Sequence, residues 1–378
     1  ADRSGRVLGA LGPRAVPMPW WQEAGPIVDA VPGVTVLRLL HGEPDPDLPM
    51  GGSVTYLVEV EDDHGLDLEP WPGPGEASSG PDPLADHPLR HPWARPGGPA
   101  ADHRWVAGRV AVTGPPRQHR TWNLSAIWSY PTADGRVWLK CVPPFFAHEA
   151  AVIELLDGED VPRVLAADGP RILLAELGGR DGYDASDGEQ MAMLDALVDL
   201  QLRAGDRADA FVAAGVPDLR TGVLGPTLAH LVERLVPVGD PRHRPLQALV
   251  DELPDRLARV DADGPASTVV HGDAHGGNCR LGAERPIWFD WGDAFIGSPL
   301  LDLVCDWDKS TEVRRHWLAR WADHAKDVAG AWEAIVPIAL LRQAWVYQRF
   351  CDNIEPSEQV YHRDDVPAAL DTTIAALG

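Results

Sequence analysis

The hydrophobic pattern of this chain changes from strand-like runs to helical spacing at the pair Gly178-Gly179. Upstream of that pair, short apolar runs predict strands over 34–40, 53–60, 110–113, 124–130, 136–142, 161–165 and 171–177, with one helix over 147–156. Asp134-Gly135 favours a hairpin, because both residues tolerate the positive φ of a tight turn. Downstream, helical spacing predicts helices over 191–203 (after a capping box at 186–189), 245–261, 311–328 and 333–351. The fold class is therefore α+β, a small antiparallel sheet followed by a mostly helical region.

The N-terminal region has a different texture. Within the window 61–104, 15 of 44 residues are proline or glycine. Trp71 and Trp93 argue against full disorder, because large aromatic rings are usually buried, so we expect the window to pack partly on a neighbour. The expected organisation is an N-terminal extension with β-strands over 1–104, a sheet lobe over 105–180 and a helical region over 181–378.

Composition excludes several classes of protein. The chain carries 33 Lys and Arg against 57 Asp and Glu, a formal charge of −24, which disfavours nucleic acid as a partner. The same charge would attract a cationic small molecule, although it is also typical of a solvated surface. The four cysteines are far apart, which disfavours a disulfide framework. Without a transmembrane run or a signal-like start, we expect a cytoplasmic monomer or homodimer with no membrane partner.

A polar island interrupts the helical region and carries the strongest chemical signal. Residues 271–278 read HGDAHGGN, and Asp290 ends the following apolar run PIWFD. Phosphoryl transfer needs a carboxylate to deprotonate a hydroxyl, a role that suits Asp273, and hard oxygen ligands for Mg²⁺, which Asn278 and Asp290 could supply. The alternate residues His271, Asp273 and His275 could instead hold zinc or iron, but no third-ligand pattern follows them.

A kinase also requires an upstream lysine on a strand, held by a glutamate on a helix. Lys140 lies in the predicted strand 136–142, and Glu149 lies nine residues later in the predicted helix. The chain has only three lysines against 30 arginines, so an exposed cation would be expected to be arginine. A lysine in this strand therefore favours a specific role.

The HGDxHxxN loop and the DWxDxxxGxPxxDL segment together resemble the aminoglycoside phosphotransferase and choline kinase family, from about Val110 to the C-terminus. The resemblance implies a bilobal, protein-kinase-like fold. It also implies that Asp273 is the catalytic base, that Asn278 and Asp290 bind Mg²⁺, that Lys140 binds the phosphates of ATP or GTP, and that Glu149 orients Lys140.

The resemblance extends to the nucleotide base. Glu176 and Leu177 occupy the position of the hinge that pairs with the purine, and Trp138 occupies a position where an aromatic ring can stack on it. The loop 114–123, expected between the first two kinase strands, is not glycine-rich. Arg117, His119 and Arg120 in this loop could contact the phosphates in place of backbone amides.

The acceptor is the least defined element. Family acceptor sites lie among the C-terminal helices, where acidic side chains hold substrate ammonium groups. The candidates are Asp293, Asp352, Glu355, Glu358 and Tyr361, although the acidic ones could equally form a solvated face. We expect Asp302 to brace the catalytic loop and His271 to fix it by packing.

The sequence thus predicts a kinase that phosphorylates a hydroxyl of a small molecule, first of all an aminoglycoside-like or other hydroxylated antibiotic. A metabolic kinase of an amino sugar is the alternative. From another class, a nucleotide-binding pseudokinase whose N-terminal segment contacts a partner also fits the stiff Pro115-Pro116 loop.

Overall fold

The computed structural model describes residues 1–17, 20–45, 47–61, 65–70, 82, 84–158, 160–282, 285–304 and 310–377. The chain divides into two compact units. The first comprises Ala1–Phe145, Leu165–Glu176 and Arg349–Arg363; the second comprises Phe146–Val164, Leu177–Gln348 and Asp364–Gly378. The N-terminal extension and the sheet share the first unit, and the expected organisation with boundaries after residues 104 and 180 stays a prediction.

The strands, in chain order, are β1 (Ala10–Leu11), β2 (Val34–Asp45), β3 (Leu48–Val60), β4 (Leu68–Glu69), β5 (Arg117–Thr121), β6 (Ala126–Thr132), β7 (Gly135–Cys141), β8 (Val164–Asp168), β9 (Arg171–Ala175), β10 (Arg180–Asp181), β11 (Thr268–Val270), β12 (Cys279–Leu281), β13 (Ile287–Trp288) and β14 (Phe295–Gly297). The α-helices are α1 (Gly25–Ala30), α2 (Gly98–Ala107), α3 (Glu149–Leu156), α4 (Asp187–Ala204), α5 (Ala208–Ala213), α6 (Thr221–Leu235), α7 (His243–Asp263), α8 (Thr311–Ala322), α9 (Val328–Cys351), α10 (Pro356–Gln359) and α11 (Asp365–Ala375). None of the helices in these described ranges is long and apolar enough to cross a lipid bilayer.

The first unit is built on a five-stranded sheet with the order β5-β6-β7-β9-β8. The predicted hairpin between β6 and β7 is confirmed, with Thr132 opposite Gly135 and a φ of 120° at Gly135. Along β7, Val137, Leu139 and Cys141 are buried in the core of the sheet. The period of two therefore places Lys140 on the opposite face.

One face of the sheet packs against α2 and the residues that precede it. The buried cluster includes Trp93, Trp105, Val106, Trp128, Tyr130, Leu139 and Leu173. The expectation that the window 61–104 packs on a neighbour is confirmed for Trp93, which is 3% exposed, whereas Trp71 lies outside the described residues. The N-terminal extension thus supplies part of the core of the sheet.

The first strand of the sheet differs from the prediction. Val112, in the predicted strand 110–113, forms only an isolated bridge with Thr132. The strand is β5, which pairs antiparallel with β6 from Arg117 opposite Ser129 to Thr121 opposite Ala126. The residues 117–121 that we predicted as a loop are therefore extended, because edge pairing outweighs their polar composition.

In the second unit, α4 begins at the predicted capping box, in which Ser186 and Glu189 cap each other's backbone amides. Short strand pairs then position the polar island. β11 pairs with β14, and β12 pairs with both β10 and β13. The loop 271–278 follows β11 and leads directly into β12, so both ends of the loop are fixed by strands.

Candidate active site

Asp273 is held in place by Asn278, which lies in the same loop 271–278. The side-chain amide Nδ2 of Asn278 donates to the backbone oxygen of Asp273 and to its Oδ2, both at 2.9 Å. Asn278 is 7% exposed, whereas Asp273 is half-buried. The two residues expected to act in phosphoryl transfer therefore lie in direct contact, with the carboxylate accessible from one side.

His275 contacts the same carboxylate. Its Nε2 lies 3.4 Å from Oδ2 of Asp273. The backbone N–H of Gly277 donates to Nδ1 of His275 at 3.1 Å, so the proton of the neutral ring is on Nε2. The geometry therefore directs the Nε2–H of His275 at the carboxylate of Asp273.

Asp290 joins the cluster through the pairing of β12 with β13. The N–H of Phe289 donates to the backbone oxygen of Asn278 at 3.0 Å, which places Asp290 one residue beyond that contact. Asp290 adopts a left-handed conformation, with φ 63° and ψ 61°. A non-glycine residue in this conformation is uncommon, and such strain concentrates at functional sites.

The neighbours of Asp273 decide its ionisation. Burial and the nearby Asp290 carboxylate raise its pKa, but the hydrogen bond that Asp273 accepts from His275 leads the effects that hold the pKa below its ordinary value. Asp273 is therefore ionised at neutral pH, which is the state required of a general base.

The loop 271–278 is braced by Asp302, as predicted. Its carboxylate accepts the N–H groups of His271 at 3.0 Å and Gly272 at 2.7 Å. The side chain of Gln201 donates to the same carboxylate at 2.7 Å. Gly272 has a φ of 85°, and a Cβ there would overlap the backbone oxygen of Asp293. Gln201, which lies in α4, was not identified from the sequence because its role depends on a long-range contact.

His271 fixes the loop by packing, as predicted. It is fully buried between the rings of Trp288 and Trp291, and its Nε2 lies 3.0 Å from the backbone oxygen of Phe289. Burial lowers the pKa of His271, so the ring is neutral. Among the described residues, no group of three or more His, Cys, Asp or Glu side chains is placed to hold a metal ion.

The remaining predicted nucleotide residues are divided between the two units. Lys140 is half-buried on β7 of the first unit, and the ring of Trp138 on the same face lies 4.6 Å from that of His119. Glu176 follows β9 at the end of a segment of the first unit, and Leu177 begins a segment of the second.

Glu149 begins α3 in the second unit and is fully buried. The preceding His148 donates from Nε2 to the backbone oxygen of Ala294 at 3.1 Å, so the start of α3 is tied to the segment that follows Asp290. The pairing of Lys140 with Glu149 stays a prediction.

The three predicted phosphate contacts of β5 each have a partner in the structure. Arg117 is paired with Asp29 at 2.8 Å, and Arg120 is paired with Glu23. His119 lies 2.8 Å from the hydroxyl of Ser129, and burial together with Arg117 lowers its pKa to about 4. Their contact with phosphate stays a prediction.

The predicted acceptor residues lie in different environments. Glu355 is paired with Arg90 at 2.6 Å, the carboxylate of Glu358 accepts the N–H of Asn123, and Tyr361 stacks on Trp21. Glu355 and Glu358 are 5% and 1% exposed, so protein partners surround both carboxylates. Asp293 is half-buried and Asp352 is exposed, and the acceptor role of all five residues stays a prediction.

An exposed aromatic residue beside the loop was missed. Tyr183 is 68% exposed, and its ring lies 5.8 Å from that of His275. A Cβ at Gly277 would overlap the Tyr183 ring, so this glycine makes room for it. The sequence signal was a tyrosine shortly after Gly178-Gly179, in a segment that otherwise contains only polar and small residues.

Comparisons with known proteins agree with this geometry. Residues 132–337, more than half of the chain, match the family model described as "Phosphotransferase enzyme family". No curated protein matches the sequence.

Solved structures show the same fold. A macrolide 2'-phosphotransferase, MphH from Brachybacterium faecium, is 18% identical with a TM-score of 0.53, over 72% of this chain and 98% of its own. Choline kinase LicA from Streptococcus pneumoniae is 12% identical with a TM-score of 0.55, over 74% and 99%. APH(2")-IIIa, in a complex with GDP and kanamycin, is 12% identical with a TM-score of 0.54, over 73% and 98%.

The predicted fold class is confirmed: the architecture is the α+β, protein-kinase-like fold of these phosphotransferases. The family match covers the region in which Asp273, Asn278 and Asp290 are grouped. The chain therefore belongs to the phosphotransferase enzyme family, whose members transfer phosphate to hydroxyl groups of small molecules.

Proposed function

We propose that the protein transfers the γ-phosphoryl group of ATP or GTP to a hydroxyl group of a hydroxylated antibiotic. The observation that carries the proposal is the state of Asp273. Its carboxylate is ionised, half-exposed and oriented by two side chains of its own loop, Asn278 and His275. Such a carboxylate can position an acceptor hydroxyl and take its proton as the oxygen attacks phosphorus.

The donor set near Asp273 fits Mg²⁺. Asn278 offers an amide oxygen, since its Nδ2 is directed at Asp273, and Asp290 offers a carboxylate. Mg²⁺ in nucleotide sites is typically bound by one or two such protein oxygens, with phosphate and water completing the coordination. Bound there, the ion would neutralise charge on the β- and γ-phosphates. The role of Asn278 and Asp290 would be to supply these two protein oxygens.

In the first unit, Lys140 is the proposed cation for the nucleotide phosphates, and Trp138 and Glu176 are the proposed contacts of the base. Lys140 is paired in register with Ile127 of β6 and Ile172 of β9, so strands on both sides fix its backbone. This support fixes the backbone from which the lysine side chain extends, on the face of the sheet opposite its core.

The acceptor class rests on three kinds of support. A macrolide 2'-phosphotransferase and a phosphotransferase in complex with kanamycin share this fold. The charge of −24 favours a cationic acceptor. The exposed ring of Tyr183, next to His275, offers an apolar surface on which a sugar ring could stack.

The test is Mg²⁺-dependent release of nucleoside diphosphate from ATP and GTP over a panel of aminoglycosides, macrolides, other hydroxylated antibiotics and amino sugars. Release that depends on an antibiotic and is lost in Asp273→Asn would support the proposal. Release with amino sugars alone would favour the metabolic alternative. Nucleotide binding without release would favour a pseudokinase, and failure to bind either nucleotide would refute the kinase function.

A further inference from the structure

The turn between β5 and β6 is constrained by several hydrogen bonds. In the family's fold, the turn after the first strand covers the nucleotide phosphates. Here it is the four residues Trp122, Asn123, Leu124 and Ser125, none of which is glycine. Trp122 donates its backbone N–H to the oxygen of Ser125 at 2.9 Å and its ring N–H to the Ser125 hydroxyl at 2.8 Å. The turn is therefore closed by its own hydrogen bonds.

A distant segment of the first unit grips this turn. We call residues 353–362, which follow α9 and include α10, the clamp segment. Both carboxylate oxygens of Glu358 accept the N–H of Asn123, at 3.0 and 3.1 Å. The backbone N–H of Glu355 donates to Oδ1 of Asn123 at 3.0 Å, and Nδ2 of Asn123 donates to the backbone oxygen of Leu89 at 3.1 Å. Asn123 is thus bonded through its backbone and through both ends of its amide.

Aromatic rings extend the same contact. The ring of Trp122 stacks on His362 at 5.9 Å between centroids and meets Trp21 edge-on at 5.8 Å. Trp21 in turn stacks on Tyr361 at 4.8 Å. The backbone oxygen of Trp122 accepts the ring N–H of Trp93 at 3.0 Å. Residues from the N-terminal extension and from the clamp segment therefore enclose the turn together.

The clamp segment is itself anchored to the long hairpin of the extension. The hydroxyl of Ser357 donates to the backbone oxygen of Leu39 in β2 at 2.9 Å. A Cβ at Gly42, also in β2, would overlap the hydroxyl of Tyr361, so this glycine permits close contact. The paired side chains of Arg90 and Glu355 are 10% and 7% exposed. These contacts hold the clamp segment against the N-terminal extension.

We propose that Glu358 and the clamp segment hold the β5–β6 turn in its nucleotide-binding conformation, so that a fixed turn replaces a flexible glycine-rich loop. The inference rests on the proposed function, because it assigns nucleotide phosphates to this turn. Glu358 is a positioning residue: it touches Asn123 and acts on the nucleotide through it.

The physical reason is the conformational entropy of the turn. A flexible loop loses this entropy when it closes over phosphates, at a cost of about 1–2 kcal/mol for each residue fixed. A turn that is already fixed does not carry that cost at binding, and about 1.4 kcal/mol corresponds to a tenfold change in affinity. Burial raises the pKa of Glu358 well above its ordinary value.

The test compares Glu358→Ala with Glu358→Gln by calorimetric binding of MgATP and MgGTP. Alanine removes the acceptor of the Asn123 N–H, and we expect Kd to rise about tenfold or more, since at least one residue must then be ordered on binding. Glutamine keeps one acceptor oxygen for the Asn123 N–H, so it should bind like the wild type. Leu249→Ala, a buried residue of α7 in the other unit, is the control for general loss of stability and should leave Kd unchanged.

Hydrogen exchange supplies a second readout that does not depend on the variants folding. In the wild-type protein without nucleotide, the amides of residues 122–125 should exchange slowly, and nucleotide should slow them little further. Rapid exchange that is suppressed only by nucleotide would overturn the inference, as would an unchanged Kd in Glu358→Ala. If the wild type binds neither nucleotide, the proposed function fails and the inference with it. If the wild type binds and the alanine variant binds equally well, only the inference fails.

Discussion

Nε2 of His275 lies 3.4 Å from Oδ2 of Asp273, the same oxygen that accepts the side-chain amide of Asn278 at 2.9 Å. Both contacts therefore fall on one oxygen of the carboxylate. In the proposed function, Oδ1 would then be the oxygen that takes the proton from the acceptor hydroxyl. From this geometry we infer a positioning role for His275.

We expect His275→Gln to lower kcat by about tenfold to a hundredfold, because a small displacement of a catalytic group is costly. The Kd of MgATP should stay unchanged, since the substitution leaves Asn278 and Asp290 in place. Steady-state kinetics with the acceptor identified in the panel, together with calorimetry, would measure both. His230→Gln, on a side chain that is 76% exposed, is the matched control. Equal kcat values for the two variants would contradict the positioning role.

Asp302 should contribute to stability more than a surface carboxylate does. It is 2% exposed and accepts the N–H groups of His271 and Gly272 and the side chain of Gln201. Asp302→Asn replaces one acceptor oxygen with a donor, so at least one buried N–H loses its partner, which costs about 1–3 kcal/mol.

Urea unfolding followed by tryptophan fluorescence would measure the loss. Asp209→Asn, on a side chain that is 90% exposed, should change the free energy of unfolding by less than about 0.5 kcal/mol. A loss at Asp302 no larger than at Asp209 would show that the brace seen under the loop is energetically unimportant.

The catalytic loop could be predicted from the sequence because its parts are close in the chain. Asp273 and Asn278 are five residues apart, and their contact follows from one short loop between two strands. The alternation along β7 likewise places Lys140 without knowledge of distant residues. Local patterns of this kind are read correctly because little else in the fold can change them.

The clamp segment could not be predicted, because its contacts join residues far apart in sequence. Glu358 and Asn123 are separated by 235 positions, and Arg90 and Glu355 by 265. Taken alone, glutamates in an acidic chain suggest a solvated surface or an acceptor site. Their burial depends on partners, an arginine and a backbone amide, that no local pattern reveals.

The first unit should lose stability in mild acid. Burial lowers the pKa of His91, His103 and His119 to about 4, against an ordinary value of 6.5. Each folded-state pKa is depressed, so the unfolded chain binds protons first as pH falls below 6.5. The stability that depends on these neutral histidines is therefore fully present above pH 6.5 and is lost as the pH falls from 6.5 to about 4.

His103→Gln tests this dependence, because its partner Tyr130, 2.8 Å from Nδ1, can still be hydrogen-bonded by glutamine. The drop in Tm between about pH 7.5 and about pH 5 should be smaller in this variant than in the wild type, since one of the titrating groups is gone. His230→Gln should keep the wild-type drop. An identical drop in His103→Gln would exclude this histidine as a source of the acid sensitivity.

Lys140 offers the sharpest test of the nucleotide assignment, because the chain provides a matched control. Lys140→Ala should lower turnover by about 10²-fold or more, since it removes a cation that stabilises charge developing on the phosphates. Lys326→Ala removes a lysine that is 77% exposed and bonded to Asp263 at 2.8 Å, and turnover should not change. The two variants should have wild-type circular dichroism spectra, so that lost turnover is not lost folding. Full turnover in Lys140→Ala would show that the phosphates are held elsewhere. A loss of turnover in Lys140→Ala alone would support the role of Lys140 in binding the phosphates.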